Sequence, residues 1–461
     1  MTAAPVEPKA PSPPRGAIGK RALSRVLTAL GAQGSGERGV AGTTTSRLSA
    51  LDNRVFRSVL LVLAGAPIAA VYLWQALIQP LAFGAYLGDF QESYMRAARR
   101  LAQSRDPYDL CRTMGCMEPT GPQYVMPPPL AWLLQPLISV DSHVITVGAI
   151  LLLNASLFFF IFCALRALKV DEWQLTVLLI LVAISFEPVI GNIDEGQVNL
   201  LLLALSGIWL WGWVGARWWG GLAMGAAVAV KMIQAPVGLL ILWARRWSML
   251  AAAIVAGLGL WLLAAPQYLS EYLFSVLPTI SAGTGLYENH SPGGTITRLL
   301  QPDTFLGMTR GSPPAARVIT AVIAVAAVAI TFLVLRSPAT AHAGRSLEAA
   351  AVVAVTPIVT SYSWGTHLVL LLLPILVLVA WGVRRRDWTV LALVAAGYLL
   401  LGPGHNRMQA LLVSGYSDLF VLRLMAELGV IGVLAIWTAS LLALRRERAI
   451  AVGESSFRPS E

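Results

Sequence analysis

The chain has 461 residues, 56% of them hydrophobic and only 13% charged, with a net charge of +10 and a mean hydropathy of +0.68. A soluble domain would carry about a quarter charged residues, so an ordinary soluble fold is excluded. The positive charge does not mark a nucleic-acid binder, because the basic residues gather at the ends of apolar runs, where they serve as orientation signals.

Residues 1–56 are rich in Pro, Gly, Ser, Ala and Arg and lack an apolar core pattern, which predicts a disordered cytoplasmic arm. The first apolar run starts near Phe56, so no cleavable leader is expected ahead of it. Apolar runs recur at 57–79, 127–141, 143–168, 173–190, 197–213, 218–243 and 247–265, then at 313–336, 347–360, 366–383, 388–402 and 417–443. Crossing hydrocarbon takes about 20 apolar residues per helix, so the expectation is an all-α polytopic membrane protein of about 10–12 transmembrane helices. The membrane domain covers 57–445 and a cytoplasmic tail covers 446–461. The clusters Arg245-Arg246, Arg384-Arg385-Arg386 and Arg445-Arg446-Arg448 then fall on the side of the N-terminus, which puts both termini in the cytoplasm. Arg166 and Lys169 face outward in this count, against the positive-inside rule. A ten-span version treats 127–141 as re-entrant and divides 218–243 differently. Two long outer loops, 80–126 and 266–312, carrying short interfacial helices, survive most versions.

Polar groups inside or beside apolar spans are costly, so each is a functional candidate. The stretch "GAYLGDFQESYMRAARRLAQSRDPYDL", residues 84–110, opens the first outer loop. Phe90, Tyr94, Ala97 and Leu101 recur at helical spacing opposite Glu92, Arg96, Arg99 and Arg100, which predicts an amphipathic interfacial helix. Asp89 followed by Glu92 reads as a capping box, or Asp89 acts in chemistry at the surface. The two roles are compatible, since a capping carboxylate is fixed in orientation. In the same loop "CRTMGC" holds Cys111 and Cys116, where a disulfide can persist. A metal site there would need a nearby His or further Cys, and none follows. Cys163 sits inside an apolar run as packing.

Further along, the prolines of "QYVMPPPLAWLLQPL" (123–137) force an extended approach to a helix. Asp194 and Glu195 in "GNIDEGQVN" read as residues between spans, whereas Lys231 in "VAVKMIQAP" lies in an apolar run and needs a partner or a water-filled cavity. In "YENHSPGGTITRLL", Asn289, His290 and Ser291 precede a Pro-Gly-Gly turn and Arg298 follows. That segment is either a plain loop or a clamp whose Arg suits phosphate geometry. In "TPIVTSYSWGTHLVLLLLP", Trp364 and His367 interrupt apolar runs at the outer surface. His367 is either an interfacial residue or a ligand for a phosphate or sugar hydroxyl.

At these motifs the sequence resembles the polyprenyl-phosphate-sugar-dependent glycosyltransferases of the GT-C superfamily, specifically the family 87 mannosyltransferase type. The carrying residues are Asp89-Phe90 with the following "AARRL", "DPYDL", "YVMPPPLAWLLQPL", "GQVNLLLLAL", "AVKMIQAPVGLLILWARRW", "NHSPGG" and "SYSWGTHLVLLLLP". They run in order from about residue 80 to 375. The family often pairs two histidines after the Trp, where Gly365-Thr366-His367 keeps one, and His290 stands where Gln is common. The resemblance implies a GT-C fold in the plasma membrane with an extracytoplasmic active site. It implies an inverting transfer of a sugar, mannose first, from a polyprenyl-phosphate donor to a glycolipid or glycan acceptor.

In that scheme Asp89 matches the family's catalytic carboxylate and acts as general base. One carboxylate suffices because the leaving group is already a phosphate. His367, Arg298, Lys231, Asn289 and His290 are the expected donor and phosphate ligands, and Tyr94, Glu92 and Trp364 the expected acceptor side. No cofactor or metal is expected, and the partners are membrane lipids and the two lipid-linked substrates. Rival readings are another donor sugar (arabinofuranose or glucose), a lipid-linked sugar transporter, or a membrane scaffold. The sequence shows no internal repeat of the kind transporters often carry.

Overall fold

The computed structural model describes residues 54–109, 123–306, 311–402, 411, 414–415 and 419–456. The predicted arm up to position 53 and the Cys111–Cys116 pair lie outside the described residues. The chain divides into a unit at residues 1–63, described only over its last, helical residues 54–63, and a larger unit at 64–461. Among the described residues every regular element is helical.

Among the described residues, five helices are long and apolar enough to cross a membrane: Leu61–Phe83, Ser142–Leu168, Pro314–Leu335, Gly365–Arg385 and Phe420–Ala451. Two bent pairs raise that number to seven, Trp173–Ile184 with Glu187–Glu195 at 49° and Trp247–Leu263 with Pro266–Ser281 at 99°. The remaining apolar helices among the described residues, Asn199–Val214, Gly220–Val230, Met232–Trp243 and Trp388–Leu401, are shorter. These helices fit a multi-pass membrane protein.

The first long helix, α1 (Arg54–Leu73), continues through a π turn to Phe83. After a turn comes a π-helix at Asp89–Tyr94, then α2 (Met95–Ala102). The run expected as a span at 127–141 is only α3 (Pro128–Leu134) and one 3-10 turn ending at Leu137, too short to cross about 30 Å of hydrocarbon. It behaves as the re-entrant alternative. The 27-residue α4 (Ser142–Leu168) follows, its start capped by Asp141 and its end closed by Lys169 in left-handed geometry.

That short α3 resolves the conflict over Arg166 and Lys169. Arg384 donates to the carbonyls of Leu168 (2.9 Å) and Lys169 (2.8 Å) and pairs with Glu172 at 3.1 Å. The end of α4 therefore lies beside the Arg384–Arg386 cluster, on the basic end of the bundle. Arg385 pairs with Glu447 at 2.9 Å and Arg446 with Asp387, which brings the basic end of the last helix to the same place. That last helix runs Leu419–Ser456, so the segment expected as a tail from 446 continues as helix.

The run expected as one span at 218–243 is broken at Lys231. Its backbone (φ −155°, ψ 119°) is extended, between α8 (Gly220–Val230) and a 3-10 turn leading into α9 (Val237–Trp243). The preceding α7 (Asn199–Val214) ends where Arg345 donates to Val214 O at 2.8 Å. Arg246, just past α9, stacks 3.7 Å from the Trp213 ring and donates to its carbonyl. The chain thus leaves and returns to one end, and 218–243 is a helical hairpin with Lys231 at its apex. Close packing holds it: a Cβ on Gly221 or Gly225 would lie 2.0 Å or 2.1 Å from carbonyls of Met249 and Ala253 in α10 (Trp247–Leu263). Small residues allow this backbone approach between membrane helices.

Candidate functional site

The predicted amphipathic helix forms, and Phe90, Tyr94, Ala97 and Leu101 lie on its buried face. The expected capping box does not. The helix starts at Gly88 with no side-chain cap, and Glu92 reaches forward to Arg96 at 3.6 Å. The opening turn is a π-helix, a form common at functional sites. Residues five apart on a π turn lie near one side, and Asp89 and Tyr94 are such a pair.

Both engage one residue. Tyr94 Oη donates to Gln197 Oε1 at 2.8 Å, and Gln197 Nε2 donates to Asp89 Oδ2. Gln197 reaches them because Gly196 turns the chain in left-handed geometry (φ +67°) with its backbone pressed on the π-helix. A Cβ there would meet Phe90 Cβ at 2.6 Å and Leu87 Cβ at 2.9 Å. Burial, followed by the Asp89 charge, holds the Tyr94 hydroxyl well above the ordinary phenol value, so it stays a donor. Beneath it stands a tyrosine cluster: Tyr124 packs edge-on to Tyr94 and stacks on Tyr108, which also meets Tyr272. Tyr108 donates to the carbonyl of Met126 at 2.8 Å, tying the preceding loop to the proline segment, and Tyr124 donates to Pro127 O at 2.6 Å within that segment.

Lys231, 6% exposed at the hairpin apex, donates to Asn199 Oδ1 at 2.9 Å. Asn199 in turn donates to Asn192 Oδ1 (3.0 Å) and Thr366 O (3.2 Å), and Asn192 donates to Thr366 O at 2.7 Å. Two asparagines thereby fix the segment that carries His367. His367 Nδ1 accepts the Trp364 N–H at 3.3 Å. A neutral imidazole that accepts at Nδ1 carries its proton on Nε2. Gln197 and Asn199, two residues apart, thus bring together Asp89, Lys231 and the segment of His367, which are distant in sequence, away from the basic end of the bundle.

The loop at 266–312 behaves differently. Asn289 Nδ2 donates to Thr284 O (2.8 Å) and Ser361 O (3.3 Å), while its Oδ1 accepts from Ser291 N (3.1 Å) and Ser363 N (2.9 Å). His290 Nδ1 lies 3.2 Å from Ala426 O, and a Cβ on Gly429 would fall 2.3 Å from that nitrogen. Arg298, expected as a phosphate ligand, pairs with Glu427 at 2.8 Å and donates to Leu286 O and Asn289 O, both at 3.0 Å. These three side chains staple the loop to the last helix and to the Ser361–Ser363 turn.

Glu92 is half-buried and engaged with Arg96, while Trp364 is half-buried against Tyr362. The Glu195 carboxylate comes within 3.2 Å of where a Gly88 Cβ would stand. Among the described residues no group of three His, Cys, Asp or Glu is placed to hold a metal ion. Sequence reasoning missed Gln197, Asn192 and Asn199. All three lie in the quoted "GNIDEGQVN", where attention went to the charged Asp194 and Glu195. The available signal was uncharged amides beside a Leu-rich run, which must find partners when buried.

Three comparisons bear on this arrangement. The family described as "Glycosyltransferase family 87" matches residues 124–361, just over half of the chain; Asp89 and His367 lie outside that range. A polyprenol-phosphate-mannose-dependent alpha-(1-2)-phosphatidylinositol pentamannoside mannosyltransferase of Mycolicibacterium smegmatis is 35% identical over 129 residues, covering 26% of this chain and 30% of that relative. The chain thus spans less than a third of that relative's length. No solved structure matches. On the extent of the family match, the chain belongs to glycosyltransferase family 87.

Proposed function

We propose that the protein transfers mannose from a polyprenyl-phosphate donor to a glycolipid acceptor at the outer face of the membrane, with inversion at the anomeric carbon. The observation that carries this reading is that the segment 197–199 gathers Asp89 through Gln197, Lys231 through Asn199, and Thr366, the neighbour of His367, again through Asn199. Basic clusters favour the cytoplasmic side, which supports an extracytoplasmic site. The mycobacterial relative, whose name specifies a polyprenol-phosphate-mannose donor, supports mannose.

The Asp89 carboxylate takes the proton from the acceptor hydroxyl as that oxygen bonds to the anomeric carbon. The bond from the anomeric carbon to the phosphate oxygen breaks, and its electron pair leaves with the polyprenyl phosphate. Lys231 and the Nε2 proton of His367, both buried side chains, stabilise the charge developing on that phosphate. Trp364 borders the acceptor side. Asn289, His290 and Arg298 act by holding the second outer loop in place.

Purified protein supplied with polyprenyl-phosphate mannose, arabinofuranose or glucose and glycolipid acceptors tests this. The expected result is transfer of mannose with inverted configuration. Movement of lipid-linked sugar across a vesicle membrane with no transfer to acceptor would refute it.

A further inference from the structure

Asp89 sits on a six-residue π turn, a short support for a group that must meet an acceptor hydroxyl in one geometry. We infer that Gln197 is a positioning residue that aims the Asp89 carboxylate, and that Tyr94, with Asp89 itself, sets which way the Gln197 amide faces. This rests on the reading of Asp89 as general base.

Gln197 is 7% exposed, and each end of its amide has a different task. The oxygen accepts from the Tyr94 hydroxyl, and the nitrogen donates to Asp89 Oδ2. Only one orientation satisfies both. A flipped amide would set its oxygen against the acceptor-only carboxylate and give up the hydrogen bond from the Tyr94 hydroxyl to the amide oxygen. Tyr94 and Asp89 together therefore set the amide orientation, and the amide holds one carboxylate oxygen. The supports of this relay are built for it. The π turn brings residues 89 and 94 to one side, and Gly196 delivers residue 197 at a distance no side chain at 196 would permit. Gln197 also begins the segment leading into α7, whose Asn199 holds Lys231. One rigid element thus fixes both the base and the cation.

A displacement of about 1 Å at a catalytic group costs on the order of 100-fold in rate. A carboxylate introduced at 197 would oppose Asp89 with like charge, which disfavours ionisation of the pair. The experiment uses full-length protein in lipid nanodiscs, with the pH dependence of kcat measured for Gln197→Glu, Gln197→Ala, Tyr94→Phe and the Tyr94→Phe/Gln197→Ala pair. Gln197→Glu is expected to move the acid limb of the kcat profile up by about one pH unit or more. Gln197→Ala is expected to lower kcat roughly 10- to 100-fold with donor KM within about twofold. Tyr94→Phe should cost less, and nothing beyond Gln197→Ala in the pair, because it acts through the same amide.

A merely structural glutamine would lower thermal stability and the active fraction without moving the pH profile. An unmoved acid limb in folded Gln197→Glu overturns the proposal. If that variant does not fold, Tyr94→Phe, which removes one oxygen, decides: kcat and pH profile equal to wild type overturn it, and a lowered kcat at unchanged KM supports it. The base assignment fails separately, by wild-type turnover in Asp89→Asn.

Discussion

Gly196→Ala is the most informative single-methyl perturbation of this site. The residue is held at φ +67°, where a side chain costs about 1–2 kcal/mol. The added Cβ would stand 2.6 Å from Phe90 Cβ, 0.8 Å short of the 3.4 Å at which ordinary contact begins. Phe90 Cβ and Leu87 Cβ are fixed by their own backbone, so no rotamer change relieves the clash. Overpacking of this kind adds about 1–3 kcal/mol, for a total of about 2–5 kcal/mol. Relief requires the π-helix and the start of α7 to move apart by close to 1 Å, which pulls Gln197 off Asp89. Turnover should then fall by roughly 100-fold, with donor KM little changed. Gly238→Ala is the control: nothing lies within 4 Å of its Cβ position, and the helical site should tolerate the change within about 0.5 kcal/mol. Thermal unfolding in detergent, read beside kcat for both variants, gives the answer. Gly196→Ala behaving like Gly238→Ala in both measurements would refute the close-approach argument.

Other consequences follow from the same geometry. Lys231→Met should cut turnover by about 10²–10³-fold, as for loss of a donor to a developing oxyanion. Its thermal midpoint should hold or rise, because a buried charge becomes an apolar chain of similar length; a stability loss with intact kcat would count against a phosphate role. Arg298→Ala should destabilise by about 1–3 kcal/mol by leaving the buried carbonyls of Leu286 and Asn289 without their donor, while the folded fraction keeps its donor KM; a tenfold rise in donor KM would restore Arg298 as a phosphate ligand. At the basic end, burial alone would raise the Asp387 carboxyl, but the hydrogen bond from Arg446 overrides it and holds the carboxyl below its ordinary value. A depressed carboxyl contributes stability above its unfolded value of about 3.9, lost as pH falls through the folded value. Thermal midpoints should therefore drop below about pH 4 in wild type and less so in Asp387→Asn.

The helical class and the buried face of the amphipathic helix were legible from hydropathy and from the spacing of Phe90, Tyr94, Ala97 and Leu101. Asp89, Lys231 and His367 were legible one at a time, as costly groups near apolar runs. Their convergence was not, because it depends on how three separate segments fold onto one another. The local pattern at Asp89 and Glu92 pointed to a capping box, and tertiary contacts overrode it. Glu92 turned to Arg96 and Asp89 to Gln197, a partner 108 residues away. The span at 218–243 read as continuous because Lys231 and Gln234 are isolated polar residues among apolar ones. What breaks it is the buried bond to Asn199, invisible to hydropathy. Arg166 and Lys169 looked misplaced only while 127–141 counted as a crossing. Arg298, chosen for its phosphate geometry, found its carboxylate within the chain at Glu427, a long-range pairing that local sequence cannot show.

The central claim is that Asp89 accepts the acceptor proton, and single-turnover transfer by Asp89→Asn with preloaded donor tests it most directly. The account predicts a rate lower by about 10²–10⁴-fold, the usual contribution of a general base, with donor affinity and thermal stability close to wild type. Transfer at the wild-type rate by that folded variant would contradict it.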